Sequence, residues 1–285
     1  MNFIINQMSV IQIPGCKPYA RKQQDQDILI YDSNFVIICD GHGDNPHGRN
    51  IAEVVAVTCA ELIPQNVEIS AESCAKLRKD FQDMVCSNFE NWRERFPNSG
   101  TTVLIIVFSP DRQTYMVVKL GDSYVLEVPE GFNGDGSLLA FDSVILDKKD
   151  PDDENEVGTS KSPWQIYMKH RSEPGRGTLG SMAFLSYYGA RIGMRGHLFV
   201  RDDVQLRTMG IEPALVMPNE DIRRILEFFT VCGVFQRKAG YRLVIASDGL
   251  PIHKPEIWGM LSSEEALQKY FAEKQEHDDV TVVVL

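Results

Sequence analysis

Short apolar runs rich in β-branched residues alternate along this chain with longer stretches in which apolar positions recur every three to four residues. Phe3 to Ile13, Ile28 to Tyr31 and Phe35 to Cys39 are of the first kind. Turn residues such as Asp32-Ser33-Asn34 separate them, so each is predicted to be a strand. Between Arg49 and Leu62 the residues Ile51, Val54, Val55, Val57, Ala60 and Leu62 keep helical spacing until Pro64 ends the run. A longer helix is predicted over Ala71 to Arg95, with Leu77, Phe81, Met84, Val85, Phe89 and Trp92 on one face. Beyond Pro97-Asn98-Ser99-Gly100 the pattern reverts to strands: Thr101 to Phe108, Thr114 to Leu120 and Tyr124 to Val128. The turns Ser109-Pro110-Asp111 and Gly121-Asp122-Ser123 between them predict an antiparallel meander.

The polar segment LDKKDPDDEN (146–155) and the Gly- and Ser-rich stretch 175–181 break this pattern, so 142–195 is predicted to be an inserted, flap-like surface subdomain. Order resumes with Val204 to Met217, a helix near Glu220 to Phe229, a strand Arg242 to Ala246, a helix around Ser262 to Glu276 and a final strand Val280 to Leu285. Strands come in runs rather than in regular strand–helix–strand units, which predicts an α+β fold of antiparallel sheets in a single domain spanning 1–285.

Composition narrows the function. The 285 residues are enough to bury a sizeable core, and 43% hydrophobic with 24% charged residues is ordinary for a folded globular protein. Asp and Glu outnumber Lys and Arg by 40 to 29, a net charge of −11 that repels a phosphate backbone, so no nucleic-acid partner is expected. No apolar run approaches the roughly 20 residues that span a bilayer, so no membrane partner is expected either. The N-terminal segment lacks a basic stretch and an apolar signal core, so the expected location is cytoplasmic or nuclear, not secreted. The six cysteines, at 16, 39, 59, 74, 86 and 232, have neither zinc-site nor CxxC spacing; they are expected to be free thiols, Cys39 and Cys59 buried among apolar neighbours.

The acidic surplus becomes specific at four aspartates, Asp40 in VIICDGHG, Asp122 in VVKLGDS, Asp248 in LVIASDG and Asp278 in EHDDVTVVVL. Each stands where a strand of small or β-branched residues meets a Gly or polar turn. A carboxylate at a strand end is held by a stiff element, and a neighbouring Gly permits close approach to whatever it binds. Any one Asp-Gly is an ordinary turn; four in this context suggest one rim, and clustered carboxylate oxygens suit hard divalent cations. His277 is notable only for adjoining Asp278. Ser123 follows Gly121-Asp122 but has no nucleophile elbow around it.

DGHG at 40–43, GTT at 100–102, GDS at 121–123, ASDGL at 246–250 and DDVTVVVL at 278–285 occur in the order found in the metal-dependent type 2C protein Ser/Thr phosphatases, the PPM family, which this sequence resembles over nearly its whole length. Asp25-Gln26-Asp27 matches in part the family's first acidic motif. GHLFVR at 196–201, followed by Glu212-Pro213, is similar to two further segments. The resemblance implies a four-layer αββα sandwich of two antiparallel sheets flanked by helix pairs, with two Mn²⁺ or Mg²⁺ ions at one end. Asp40 would bridge the ions, Asp248 and Asp278 would complete one, and the Gly41 carbonyl would serve the other. Asp27 and Gln26 occupy the first acidic motif, and Asp122 the position linked to a third, weakly held ion. His42 matches the general acid for the leaving alkoxide.

Departures from the family pattern are informative. Gln26 replaces a common metal-site Glu, Lys22 with Arg21 beside it replaces the phosphate-binding Arg, and the RxxGD segment reads Arg201-Asp202-Asp203-Val204-Gln205, leaving Asp203 as the substitute carboxylate. Lys neutralises a phosphate but lacks the fork that grips two oxygens. The implied activity is hydrolysis of phosphoserine and phosphothreonine in phosphorylated protein substrates by a monomer. The alternative is a phosphatase-like scaffold with weak or no catalysis.

Overall fold

The computed structural model describes residues 8–16, 25–43, 47–96, 99–140, 160–161, 220, 223, 226–227, 230–274 and 277–285. In chain order the strands β1 (Ser9–Ile13), β2 (Asp27–Tyr31) and β3 (Phe35–Gly43) precede helices α1 (His47–Glu61) and α2 (Ala71–Arg95). Strands β4 (Ser99–Thr101), β5 (Val103–Phe108), β6 (Thr114–Leu120), β7 (Tyr124–Pro129), β8 (Leu138–Ala140) and β9 (Ser160–Lys161) follow. Then come β10 (Val231–Gln236), β11 (Tyr241–Ala246), helices α3 (Pro255–Met260) and α4 (Glu264–Ala272), and β12 (Val280–Val284).

The strands form two antiparallel sheets. One runs β1-β12-β11-β7-β8-β9; the other runs β10-β6-β5-β3-β2, with β4 joined to the far end of β3. Side-chain alternation dictates the layering, because successive residues of a strand face opposite sides of its sheet. Ile37, Cys39, Ile105, Val107, Met116 and Val118 pack under α1 and α2. Their neighbours Val36, Ile38, Leu104, Ile106 and Val117 face the other sheet's Val125, Leu243, Ile245 and Val283. Leu126, Val128, Val244, Ala246 and Val282 turn outward to Ile257 and Trp258 of α3 and Leu267 and Phe271 of α4. The four-layer αββα arrangement thus follows from near-continuous apolar strands with both faces buried. Each fully buried aliphatic side chain contributes about 1.5–3 kcal/mol through removal from water.

Local sequence explains the helix bounds. α2 starts at Ser70, whose side chain accepts from the Ser73 amide while Ser73 returns a bond to the Ser70 amide, and the helix covers the predicted Ala71 to Arg95. Cys39 and Cys59 are buried free thiols, as expected.

Three expectations require correction. The meander fails at Gly121-Asp122-Ser123: β5 and β6 pair, but β7 leaves for the other sheet and pairs with β11. This segment is a crossover between layers, with Gly121 at φ +118° and Thr102 packed where a side chain would stand. The strand expected over Thr101 to Phe108 breaks at Thr102 into β4 and β5, which pair with successive parts of β3. Strand β10 and helix α3 occupy segments for which no element was predicted. Of 142–195, Ser160–Lys161 pairs with β8 at a sheet edge; the rest of that segment and Val204 to Met217 lie outside the described residues.

Candidate metal centre

Antiparallel topology brings the motif aspartates to one end of the sandwich. β11 finishes there, just before Asp248, and β3 passes through at Asp40, shortly before its own end at Gly43, while β2 and β12 begin there, at Asp27 and just after Asp278. β6 also ends there, with Asp122 in the crossover that follows. Asp27 and Asp40 are directly opposed across the β2–β3 ladder. Asp40 shares the inter-sheet side of β3 with Val36 and Ile38, so its carboxylate continues an apolar row to its polar edge.

The backbone of Asp40 is clamped from β4 and β5. Its carbonyl accepts from the Thr102 amide at 2.9 Å and the Thr101 hydroxyl at 3.0 Å, and its amide donates to Thr102 Oγ1 at 3.1 Å. The break in the strand at Thr102 therefore gives the GTT motif its role. Thr102 Oγ1 also lies 3.4 Å from Ser123 Oγ, which places Ser123 in the support of the rim. At Gly41 the approach of helix α1 leaves no room: a Cβ there would stand 2.4 Å from the Gly48 carbonyl and 2.8 Å from that of Gln26. Gly249 is tighter, since its Cβ would meet the Asp279 carbonyl at 1.9 Å.

Asp279, not singled out in the sequence, is buried and accepts from the amides of Gly15 and, at 2.9 Å, Gln26, so it ties the segment after β1 and the start of β2 to β12. Gln26 in turn accepts from the Gly41 amide at 3.2 Å through its carbonyl, and Arg49 of α1 donates to the Asp25 carbonyl. These ties hold the first acidic motif through its backbone. The only signal for Asp279 was the doubled Asp278-Asp279. His277 is occupied structurally: Nδ1 lies 2.9 Å from the Asp278 carbonyl, its ring is 5.0 Å from that of Phe271, and its backbone bridges to Cys16.

The carboxylates feel one another. Burial pushes Asp40 well above the usual carboxylate range, and Asp27, Asp248, Asp122 and Asp278 push it further in that order. Asp27 is pushed up to about 7, first by burial and then by Asp279 and Asp25; the hydroxyls of Ser247 and Thr281 offset part of this without closing a hydrogen bond to it. Asp122 is raised by burial and by Asp248, with Lys119 opposing. Both carboxylate oxygens of Asp27 and one of Asp122 are buried with no hydrogen-bond donor. Among the described residues, no three His, Cys, Asp or Glu side chains close into a ready-made ion cage. Arg21, Lys22 and Asp203 lie outside the described residues, and His42 is placed by its backbone, opposite Gly100.

This architecture is the PPM-type Ser/Thr phosphatase fold. Similar solved structures include the serine/threonine phosphatase PstP/Ppp of Mycobacterium tuberculosis, with a TM-score of 0.54 and 17% identity over 98% of this chain and 97% of that one. The S. agalactiae serine/threonine phosphatase matches with a TM-score of 0.56 and 13% identity over 98% of each chain. The PPM Ser-Thr phosphatase MsPP of Mycobacterium smegmatis, solved with cacodylate, matches with a TM-score of 0.52 and 16% identity over 98% of this chain and 97% of its own. No protein-family model and no curated protein sequence matches this chain. Among the described residues, no helix is long and apolar enough to cross a membrane.

Proposed function

We propose that the protein hydrolyses phosphoserine and phosphothreonine in protein substrates, using two Mn²⁺ or Mg²⁺ ions at the acidic rim. The observation that carries this reading is the convergence of Asp27, Asp40, Asp122, Asp248 and Asp278 on one end of a PPM-type sandwich, where both carboxylate oxygens of Asp27 and one of Asp122 are buried without a donor. Such oxygens are costly unless a cation takes the place of the missing donors. An all-oxygen donor set suits a hard dication, and such ions commonly keep several of their waters.

In this reading Asp40, Asp248 and Asp278, with the Gly41 carbonyl, Asp27 and Gln26, would hold the two ions, Asp40 serving both. Asp122 and Asp203 are outer carboxylates. Bound ions would supply an acidified water and offset charge on the phosphoryl oxygens. The chain's own tasks are to orient that end rigidly, through the Thr101 and Thr102 clamp, and to neutralise the incoming phosphate with Lys22 and Arg21. His42 delivers a proton to the departing Ser or Thr oxygen, a step worth about 10²–10⁴-fold for a poor leaving group.

The test is phosphate release from a phosphothreonine peptide with Mn²⁺ and after exhaustive chelation. Turnover restored by millimolar Mn²⁺ is expected. Full turnover in chelator would overturn the metal reading; Mn²⁺ binding with no turnover on any phosphopeptide would favour a scaffold.

A further inference from the structure

Two of the six cysteines meet where α2 crosses the edge strand β10. Cys232 of β10 lies directly opposite Val118 of β6, and directly opposed residues share one face of a sheet. Val118 packs under α2, so Cys232 is turned toward that helix, where it joins the same apolar cluster. From the helix side, Cys74 places its sulfur 3.5 Å from the Gly233 carbonyl and 3.7 Å from that of Val117. Gly233 and Val117 are themselves paired, on the rung next to that of Cys232 and Val118. The Cys74 sulfur therefore rests beside Cys232, whose hydrogen bond to it, ahead of burial, pushes the Cys74 thiol up.

Access sets this pair apart. Cys74 is buried, whereas Cys232 is only partly buried, on a strand that ends its sheet among the described residues. Cys39 and Cys59 also feel one another, but both are fully buried. We propose that Cys74 and Cys232 form a dithiol modification site for hydroperoxides, in which oxidation joins them in a disulfide that pins β10 to α2. The Cys232 thiolate attacks a peroxide oxygen, the O–O bond breaks, and the departing hydroxide takes up the proton Cys232 released, leaving a sulfenic acid and water. The Cys74 sulfur then attacks the sulfenic sulfur, the S–O bond breaks, and the Cys74 proton leaves with the hydroxide as a second water. Two electrons pass from the thiols to one peroxide. Cys232 takes the first step because it is the accessible thiol and because Cys74 holds its proton tightly. Cys74 and Gly233 are 159 positions apart, so the crosslink closes a long loop and restricts the unfolded chain.

The full-length protein is reduced, treated with one equivalent of hydrogen peroxide in chelator, alkylated, digested without reductant and mapped by mass spectrometry. The expected product is a single crosslink between the Cys74 and Cys232 peptides, with two thiols lost and both recovered by dithiothreitol. Retention of all six thiols, a crosslink through any other cysteine, or over-oxidation of Cys232 with Cys74 still a thiol overturns the proposal. Oxidised wild type should melt about 5 °C or more above the reduced form; a Tm no higher than the reduced one overturns the pinning of β10. In Cys74→Ser, dimedone should capture a sulfenic acid at Cys232, and in Cys232→Ser the same dose should leave Cys74 unmodified. Equal modification of Cys74 in Cys232→Ser would overturn the order of steps. The wild-type map decides the site by itself if either variant fails to fold, and none of these readouts depends on phosphatase activity.

Discussion

Replacing Gly249 by Ala would bring a methyl carbon to 1.9 Å from the Asp279 carbonyl, and Gly41→Ala would press on the Gly48 carbonyl at 2.4 Å. Both contacts are backbone that cannot swing aside, so each variant is expected to lose about 3 kcal/mol or more in urea unfolding; a loss below about 0.5 kcal/mol in either would contradict this packing. Charge at the rim is equally constrained. Asp40→Asn is expected to lower phosphopeptide turnover by about 10²–10³-fold, whereas Asp135→Asn, the same charge change at an exposed turn, should leave it unaltered. His42→Gln should slow phosphothreonine peptides strongly but barely affect p-nitrophenyl phosphate, whose leaving group needs little proton assistance. Parallel losses on both substrates would remove His42 from the chemistry. The motif aspartates were legible because each sits where a β-rich run meets a turn. Lys119 and Asp279 were not, because their burial arises only when two sheets stack and when β12 meets the start of β2.

The elements that sequence reading recovered have strong internal periodicity. α2 has a six-residue apolar face and a reciprocal serine cap; Ser70→Ala is expected to cost about 1 kcal/mol in unfolding with phosphatase activity retained per folded molecule. The elements that escaped lack such periodicity. β10 is VCGVFQ, an edge strand with a central Gly and half-exposed throughout most of its length. α3 is six residues opened by Pro255, shorter than two helical turns. The failed meander is more instructive. Gly-Asp-Ser reads locally as a hairpin turn, but both flanking strands are buried on two faces, and pairing partners for such strands are decided by layer packing rather than by the turn. The crossover that results delivers Asp122 to the rim and leaves Lys119 beneath it.

Across the whole molecule, acidity gathered at one end makes stability depend on pH and on ions together. Asp27, pushed up to about 7 by burial, keeps in the folded chain a proton that the unfolded chain releases near pH 4. Its contribution is therefore present in full below about pH 4 and is lost as pH rises through about 7. In chelator, Tm is expected to fall between pH 5 and 8, and saturating Mn²⁺ should flatten that slope and raise Tm at pH 8. Calorimetry across that range checks both, and a metal-free Tm that rises with pH would be the wrong sign. The layering was legible as a class, antiparallel α+β, because continuous apolar strands need cover on both faces; the strand order was not, because it links distant segments. That linkage has a kinetic side. β1 pairs with β12 over Ser9 to Val284, and Gly15 donates to Asp279 264 positions away. Closing contacts so remote in sequence slows folding, since chain entropy must be lost before they reward it. A ribosome would have to release β12 before the rim could assemble, so a growing chain would carry its earlier carboxylates without a centre to hold an ion until that strand emerges.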